Sequence, residues 1–342
     1  MKTADFDYAL PPELIAQVPA AKRDESKLMV LDRRAAAAPS HLSFRDFPSL
    51  VQPHDVVVIN DSRVIPARLL AQRSGGGAAE VLLVTREAGD TWRALVKPGA
   101  RIKAGGELSL GGGDAIRVVE HLETGERRVE LVGPGGSEGV LARHGKIPLP
   151  PYIARDANED DRERYQTVYA DAPGSVAAPT AGLHFTADIL RAIEARGASI
   201  ARVTLHVGPG TFRPVSDDDP AKHHMDAEAY IVPEAAAQAV DRAREQGGSI
   251  WAVGTTALRT LESVGNDDGT IRAGAGWTDL FVLPGYRFKV VDHLLTNFHL
   301  PKSTLLMLVC AFAGTDRVMS AYRTAVEQRY RFYSYGDAMA IL

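Results

Sequence analysis

Asp55-Val-Val-Val-Ile-Asn60 is a run of four β-branched residues closed at each end by a polar one. An unbroken apolar run of this length and composition reads as a strand covered on both faces, the condition found in parallel sheets flanked by helices. Its exit, Asn60-Asp61-Ser62-Arg63, places polar groups at a strand end, where α/β proteins build their sites. Downstream the chain alternates. Helices are expected over residues 186–196, 234–246, 256–264, 303–313 and 316–330, and strands over 200–207, 249–254 and 278–283. Gly197 and Gly247 follow two of the helices, where a left-handed residue ends the turn. Alternation with short links predicts a largely parallel sheet curled towards a barrel. A short proline-bounded element spans residues 11–18.

Between residues 68 and 149 the texture changes. Short alternating runs at 80–84, 92–96, 107–110, 116–119 and 128–132 are separated by glycine-rich turns, with a helical period only over 139–144. Such spacing predicts a small antiparallel barrel or sandwich. The α/β texture resumes after it, through a proline-stiffened crossing strand at 146–153 and a charged stretch at 156–164. The expected organisation is therefore a discontinuous main domain, residues 1–67 and 150–342, interrupted by a small β-barrel domain, residues 68–149.

The 342 residues are 45% hydrophobic and 24% charged, the balance of a soluble globular chain. No apolar run approaches the ~20 residues that span a bilayer, and the N-terminus carries no apolar signal region, so a cytoplasmic protein without membrane contact is expected. A single cysteine, Cys310, rules out an internal disulfide and fits a reducing compartment. A net charge of −4 argues against a bulk nucleic-acid-coating protein and leaves room for a local basic face.

Three segments concentrate chemistry. Val203-Thr-Leu-His-Val-Gly-Pro-Gly-Thr-Phe212 sets His206 at a strand end, beside Gly208 and Gly210, whose missing Cβ atoms admit a ligand to the backbone. Pro179-Thr-Ala-Gly-Leu-His-Phe185 carries His184, with Thr180 and Gly182 placed to offer N–H groups near a helix start. Thr296-Asn-Phe-His-Leu-Pro301 carries His299 and Asn297. Three histidines in three turn-flanked segments point to one composite site, and an imidazole titrating near neutrality is a general acid or base. Val253-Gly-Thr-Thr-Ala-Leu-Arg259 is a strand–helix junction in which Thr255 and Thr256 suit a carboxylate or phosphate. It matches neither nucleotide-binding glycine signature, which removes support for ATP and nicotinamide cofactors. Arg63 offers a forked anion clamp, or else closes a salt-bridged turn. His223 and Glu228 form either a polar pair or a solvated cluster, and the zincin spacing of a metal site is absent. Near the C-terminus Arg323, Arg329 and Arg331 interleave with aromatics, Tyr330 among them. That mixture suits phosphate contacts with base stacking on RNA, or a helix packing its rings on the core.

Taken together, these stretches resemble the S-adenosylmethionine:tRNA ribosyltransferase-isomerases of queuosine biosynthesis. The likeness runs nearly end to end. It is carried by Asp5-Phe-Asp-Tyr8, Val64-Ile-Pro-Ala-Arg-Leu69, Leu149-Pro-Pro-Tyr-Ile153, Tyr165-Gln-Thr-Val-Tyr169, Val176-Ala-Ala-Pro-Thr-Ala-Gly-Leu-His-Phe185, Val203-Thr-Leu-His-Val-Gly208, Ala252-Val-Gly-Thr-Thr256, Lys289-Val-Val-Asp292, Thr296-Asn-Phe-His-Leu-Pro301 and Ser334-Tyr-Gly-Asp-Ala-Met339. Asn60-Asp-Ser-Arg63 departs from the family's common Asn-Asn-Thr-Arg, and the β insert is the least similar part.

The resemblance implies a flattened, imperfect α/β barrel interrupted by a small antiparallel β-barrel. It implies transfer and isomerisation of the ribosyl group of S-adenosylmethionine onto 7-aminomethyl-7-deazaguanine in a tRNA with a GUN anticodon. Epoxyqueuosine would form at the wobble position, with adenine and methionine released. S-adenosylmethionine would be consumed as a substrate, with no cofactor or metal. Apart from the resemblance, a monomer is the default expectation, since nothing in the sequence fixes the oligomeric state. His206 or His299 would remove a C5′ proton and the other would protonate the departing adenine. His184, Thr180 and Thr255 would position the sugar and amino-acid parts, and Arg63 or Arg259 would hold the methionine carboxylate. Asn60, Gly182, Gly208, Gly210, Arg213, His223, Glu228, Thr256 and Asn297 complete the expected substrate contacts, and Arg323, Arg329, Tyr330 and Arg331 the expected tRNA contacts. Two rivals stand beside this reading: a metal-dependent hydrolase built on His184, His206 and His299, and a non-catalytic RNA-binding module.

Overall fold

The computed structural model describes residues 1–342 except 36, 213, 214 and 216, and the side chains of 211 and 212. The chain opens with β1 (Lys27–Leu31), β2 (Ser40–Ser43), β3 (Val56–Asn60) and β4 (Ser62–Val64). A second segment then builds β5 (Arg68–Arg73), β6 (Ala78–Arg86), β7 (Thr91–Lys97), β8 (Glu107–Gly111), β9 (Asp114–His121) and β10 (Arg127–Val132), followed by α1 (Gly136–His144). These six strands close on themselves as an antiparallel barrel in the order β10-β7-β6-β5-β8-β9. Alternation explains it: Val81 and Leu83 of β6 and Trp92 and Ala94 of β7 point inward to a core that also takes Val140 and Leu141 of α1.

The remainder supplies α2 (Glu159–Arg164), β11 (Ala172–Ser175), α3 (Ala187–Ala195), β12 (Ser199–Leu205), β13 (Glu228–Val232), α4 (Glu234–Glu245), β14 (Ile250–Val253), α5 (Gly254–Val264), β15 (Gly274–Thr278), β16 (His293–Asn297), α6 (Thr304–Ala313), α7 (Thr315–Glu327) and β17 (Ala338–Ile341). Nine strands form one mixed sheet in the order β15-β13-β12-β3-β14-β16-β17-β1-β2, with β12, β3, β14 and β16 mutually parallel at its centre. Its edges, β15 and β2, do not pair with one another, so this sheet is open where the sequence leads one to expect an imperfect α/β barrel.

β3 shows why the centre reads as continuous apolar sequence. Val56 and Val58 enter one core, beneath α4, α5, α6 and α7, while Val57 and Ile59 enter another with Phe44, Phe47, Phe185 and the α3 residues Ile189 and Ile193. β14 divides its residues in the same way, Ile250 and Ala252 to the first core and Trp251 and Val253 to the second. Thr186 caps α3 by accepting from the Ile189 N–H (3.2 Å), and Ser303 caps α6 by accepting from Leu306 (3.2 Å). Among the described residues no single helix is long and apolar enough to cross a membrane; α6 and α7 pass that test only as a pair bent by 115°.

The mixed α/β class and the antiparallel barrel follow the sequence reading. Several local expectations do not. Residues 146–153 form no strand: Pro148, Pro150 and Pro151 lack N–H donors, and only Lys146 bridges, antiparallel, to Arg68. The strand expected at 278–283 lies earlier, at β15, because Thr278 ends it: its Oγ1 accepts from the Leu280 N–H (3.2 Å), a local turn that competes with the ladder. The last helix stops at Glu327 rather than Tyr330.

Candidate active site

A cavity of about 860 Å³ separates the small barrel from the β12–β15 side of the large sheet. The barrel contributes Arg86, Trp92, Arg93 and Glu126; the sheet side contributes His206, Gly208, Asp226, Glu228 and Trp277. His206 follows the last residue of β12, and its N–H donates to the Ala229 carbonyl (3.0 Å). Asn60 holds this strand end from below. Its Oδ1 accepts from the N–H groups of Leu205 (3.0 Å) and Ser62 (3.1 Å), and its Nδ2 donates to the Leu205 carbonyl (3.0 Å). Asn60 is fully buried and does not line the cavity, so it positions rather than contacts substrate.

The same clasp brings Ser62 Oγ to 2.7 Å from His206 Nδ1, while Nε2 has no hydrogen-bond partner among the described residues. Gly174, at φ +148°, lies against the imidazole: a Cβ there would sit 2.9 Å from Cε1 and 3.0 Å from Nε2. Burial pushes the His206 pKa below its ordinary 6.5, and Asp61 opposes that shift. The ring is therefore mainly neutral at pH 7.

His299 lies next door, in a pocket of about 30 Å³ with Thr180, Thr255, Thr256 and Asn297. Val207, adjacent to His206, is part of its wall. The His299 Nε2 is 2.7 Å from Thr296 Oγ1. His184 lines a third pocket, of about 20 Å³, with Arg23, Ser26 and Arg164. Asn297 Nδ2 donates to its Nε2 (3.2 Å), so Nδ1 carries the proton and donates to Ser26 Oγ (2.7 Å). The three histidines thus occupy three neighbouring pockets, not one composite site. Among the described residues no three His, Cys, Asp or Glu side chains stand where they could hold one ion.

Burial holds both His184 and His299 at about 3, against an ordinary 6.5. These groups are neutral in the fold and protonated when unfolded below pH 6.5, so the unfolded chain binds more protons in that window. Their contribution is complete above pH 6.5 and is lost as the pH falls from 6.5 towards 3, at about 1.4 kcal/mol per pH unit for each histidine. Urea denaturation at pH 7, 6 and 5 should show this decline. A stability unchanged across those three values would contradict two buried neutral imidazoles.

Other expected contacts are placed differently. Glu228 pairs with the buried Arg259 rather than with His223, whose ring packs edge-on against Phe281 (5.5 Å). Glu228 Oε1 also accepts from the Gly208 N–H (2.9 Å), and Arg259 Nε donates to the Leu280 carbonyl (2.9 Å). Arg259 is thus already neutralised and is no clamp for a carboxylate. Arg63 is exposed, 3.4 Å from the Ala170 carbonyl, and lines none of the three pockets. Gly182 donates its N–H to Pro179 O (2.8 Å) and packs so closely that a Cβ would meet Tyr169 Oη at 2.1 Å; it serves packing, not ligand approach. Gly210 lies against Asp226, where a Cβ would stand 2.3 Å from Oδ2. Arg213 lies outside the described residues.

At the C-terminal end Tyr330 is buried, its hydroxyl 2.7 Å from His41 Nδ1 and its ring against Phe298 (5.5 Å). Tyr322, Phe332, Tyr333 and Tyr335 are buried too, so these aromatics pack the core and are unavailable for stacking on RNA. Arg331 donates to the Val18 carbonyl, whereas Arg323 and Arg329 are exposed. Ser62, Gly174, Asp226 and Trp277 are site residues that the sequence reading passed over. The first stood in plain view at the quoted strand exit, Asn60-Asp-Ser-Arg63.

A cavity walled by a neutral histidine, carboxylates and an indole has the make-up of an enzyme site. A family model described as "Queuosine biosynthesis protein" matches residues 3–341. The S-adenosylmethionine:tRNA ribosyltransferase-isomerase of Symbiobacterium thermophilum is 55% identical, and its namesake from Clostridioides difficile 51%, each alignment covering 100% of both chains. The crystal structure of the S-adenosylmethionine tRNA ribosyltransferase from Thermotoga maritima is 38% identical, covers 99% of this chain and 100% of its own, and superposes with a TM-score of 0.56. The chain belongs to the queuosine biosynthesis family of S-adenosylmethionine:tRNA ribosyltransferase-isomerases, enzymes of tRNA modification.

Proposed function

We propose that the protein transfers and isomerises the ribosyl group of S-adenosylmethionine onto 7-aminomethyl-7-deazaguanine at the wobble position of a GUN-anticodon tRNA, giving epoxyqueuosine, adenine and methionine. The observation that carries this reading is His206, a neutral imidazole with an unpartnered Nε2 on the wall of a cavity of about 860 Å³. In this scheme Nδ1 donates to Ser62 Oγ and Nε2 takes the C5′ proton that the sulfonium acidifies. The C5′ ylide expels the ring oxygen from C4′, leaving a vinyl sulfonium, and the freed oxygen collapses to a C1′ aldehyde as adenine departs with the proton taken up by His206. The neutral aminomethyl nitrogen adds to C4′ and loses a proton, the ylide so regenerated closes C5′ onto C1′, and the resulting alkoxide displaces methionine from C5′ to form the epoxide. His299, uncharged well below neutral pH, is a poor donor to the departing adenine, so the two-histidine division of labour is not retained.

Asp226 has no ion-pair partner among the described residues and offers its charge to the sulfonium. No cofactor beyond the substrate is required. We further take the molecule to be a cytoplasmic monomer of two domains, residues 68–149 inserted into 1–67 and 150–342. Incubation with S-adenosylmethionine and tRNA bearing the aminomethyl base, followed by nucleoside mass analysis, tests the reaction. Unchanged tRNA, or a simple methyl transfer, would sink it.

Trp277, which is 60% exposed on the edge strand β15 and lines the cavity, offers the tRNA base a stacking platform. Base–indole stacking contributes about 1–3 kcal/mol. Trp277→Ala is therefore expected to raise KM for tRNA by roughly 5- to 150-fold, leaving KM for S-adenosylmethionine nearly unchanged. Steady-state kinetics with each substrate varied in turn checks this, and an equal rise in both would reassign the indole.

A further inference from the structure

The pocket of about 30 Å³ beside the main cavity has a chemistry of its own. It lies at the N-terminus of α5, an 11-residue helix whose N-cap is Val253 and which no side chain caps. Its first-turn N–H groups and the positive end of its dipole thus lack a side-chain acceptor. Gly254 enters the helix at φ +86°, and a Cβ there would lie 3.5 Å from Thr256 Oγ1 and 3.6 Å from Ala181 Cβ, in the space the pocket occupies. Two buried polar atoms on lining residues have no partner among the described residues: Thr256 Oγ1 and Asn297 Oδ1. The residues carrying them are only 9% and 2% exposed. The Asn297 amide is oriented by its other end, since Nδ2 donates to His184 Nε2 and to the Asp337 carbonyl (3.4 Å). The free atom is therefore the acceptor.

A helix N-terminus and a hydroxyl ask for an anion; a free carboxamide oxygen a short way off asks for a donor. Among the described residues no Asp, Glu, Lys or Arg lines the pocket, and His299 is held neutral by burial. A ligand carrying both charges with no net charge matches such a wall, where a lone ion would not. The volume suits about two water-sized groups, too little for a purine or a ribose, so only the small polar end of a ligand can reach into it. Arg259, the cation on the same helix, is already paired with Glu228. Val207 ties the pocket to the cavity that holds His206.

We propose that this pocket holds the α-amino-acid head group of S-adenosylmethionine, its carboxylate at the α5 N-terminus and Thr256 Oγ1, its ammonium at Asn297 Oδ1. This rests on the reading that S-adenosylmethionine is the substrate. The test is calorimetric titration of the full chain, and of its Thr256→Val and Thr256→Ser variants, with S-adenosylmethionine and with its decarboxylated analogue. The unaltered protein should bind the analogue at least about tenfold more weakly, since a charge-assisted hydrogen bond is lost. Thr256→Val should weaken S-adenosylmethionine binding about tenfold and leave analogue binding within about twofold, while Thr256→Ser should restore the substrate affinity. Equal weakening of both ligands by Thr256→Val, or no discrimination by the unaltered protein, overturns the assignment while leaving the reaction standing. Should Thr256→Val not fold, the unaltered protein and Thr256→Ser still decide the matter through their preference between the two ligands. If S-adenosylmethionine does not bind at all, the functional reading falls with it.

Discussion

Replacing His206 by alanine is expected to lower turnover by about 10²–10⁴, the usual contribution of a general base, while thermal stability changes little. The ring is only half-buried, and the surrounding clasp of Asn60, Leu205 and Ser62 is made largely by atoms other than its own. The pH profile carries the same expectation. Because burial lowers the His206 pKa below 6.5, kcat/KM should hold through neutrality and fall only on the acid side of that value. Gly174→Ala gives an independent view. The added methyl collides with the imidazole and strains a residue at φ +148°, so turnover should fall although the histidine is present. Rapid-quench measurement of product under saturating substrates separates these effects from binding. A near-normal rate for His206→Ala would remove the imidazole from the chemistry, and attention would pass to the cavity carboxylates.

The parts of the fold visible in sequence were those whose burial is local and periodic. β3 announces itself because both its faces are covered, and the barrel strands because one face is. β5 escaped notice for a reason of the same kind: Leu70 points outward at 45% exposure and masks the alternation of Leu69 and Ala71. β1 and β17 are short apolar runs whose meaning lies in pairing with each other across the length of the chain, and nothing nearby in sequence encodes that partner. In β15 two glycines in five residues conceal a strand that exists because β13 offers it an antiparallel edge.

The site was legible as segments rather than as geometry. His206, Gly208, Thr256 and Asn297 do face pockets. What composition could not convey was which polar residues are spent on one another. Asn60 uses its whole amide on β12 and Ser62, and Arg259 is consumed by Glu228. The C-terminal aromatics that read as a stacking platform are instead the floor of a core containing Phe298 and Tyr8. Charge and aromaticity in sequence say what a residue can do; burial decides whether it is free to do it.

Glu228→Ala is expected to be the most damaging single change to stability, at about 3–5 kcal/mol, because it leaves the Arg259 guanidinium buried without its counter-charge. Both side chains are about 95% buried, so water cannot take the carboxylate's place without opening the β13–α5 contact. The same change removes the acceptor of the Gly208 N–H, loosening the turn beside His206, so the residual folded enzyme should also turn over more slowly. Arg259→Met should cost a comparable amount by stranding the carboxylate instead. The decisive measurement is the pair: Glu228→Leu combined with Arg259→Met takes both charges away and should recover a substantial part of either single loss, since a buried pair exchanged for packed apolar groups is often near neutral. Urea melts of the unaltered protein, Glu228→Leu, Arg259→Met and the double variant give the coupling directly. If the double variant loses the sum of the two single losses, the ion pair is not the unit that holds β13 to α5, and the turn at Gly208 must be held by other contacts.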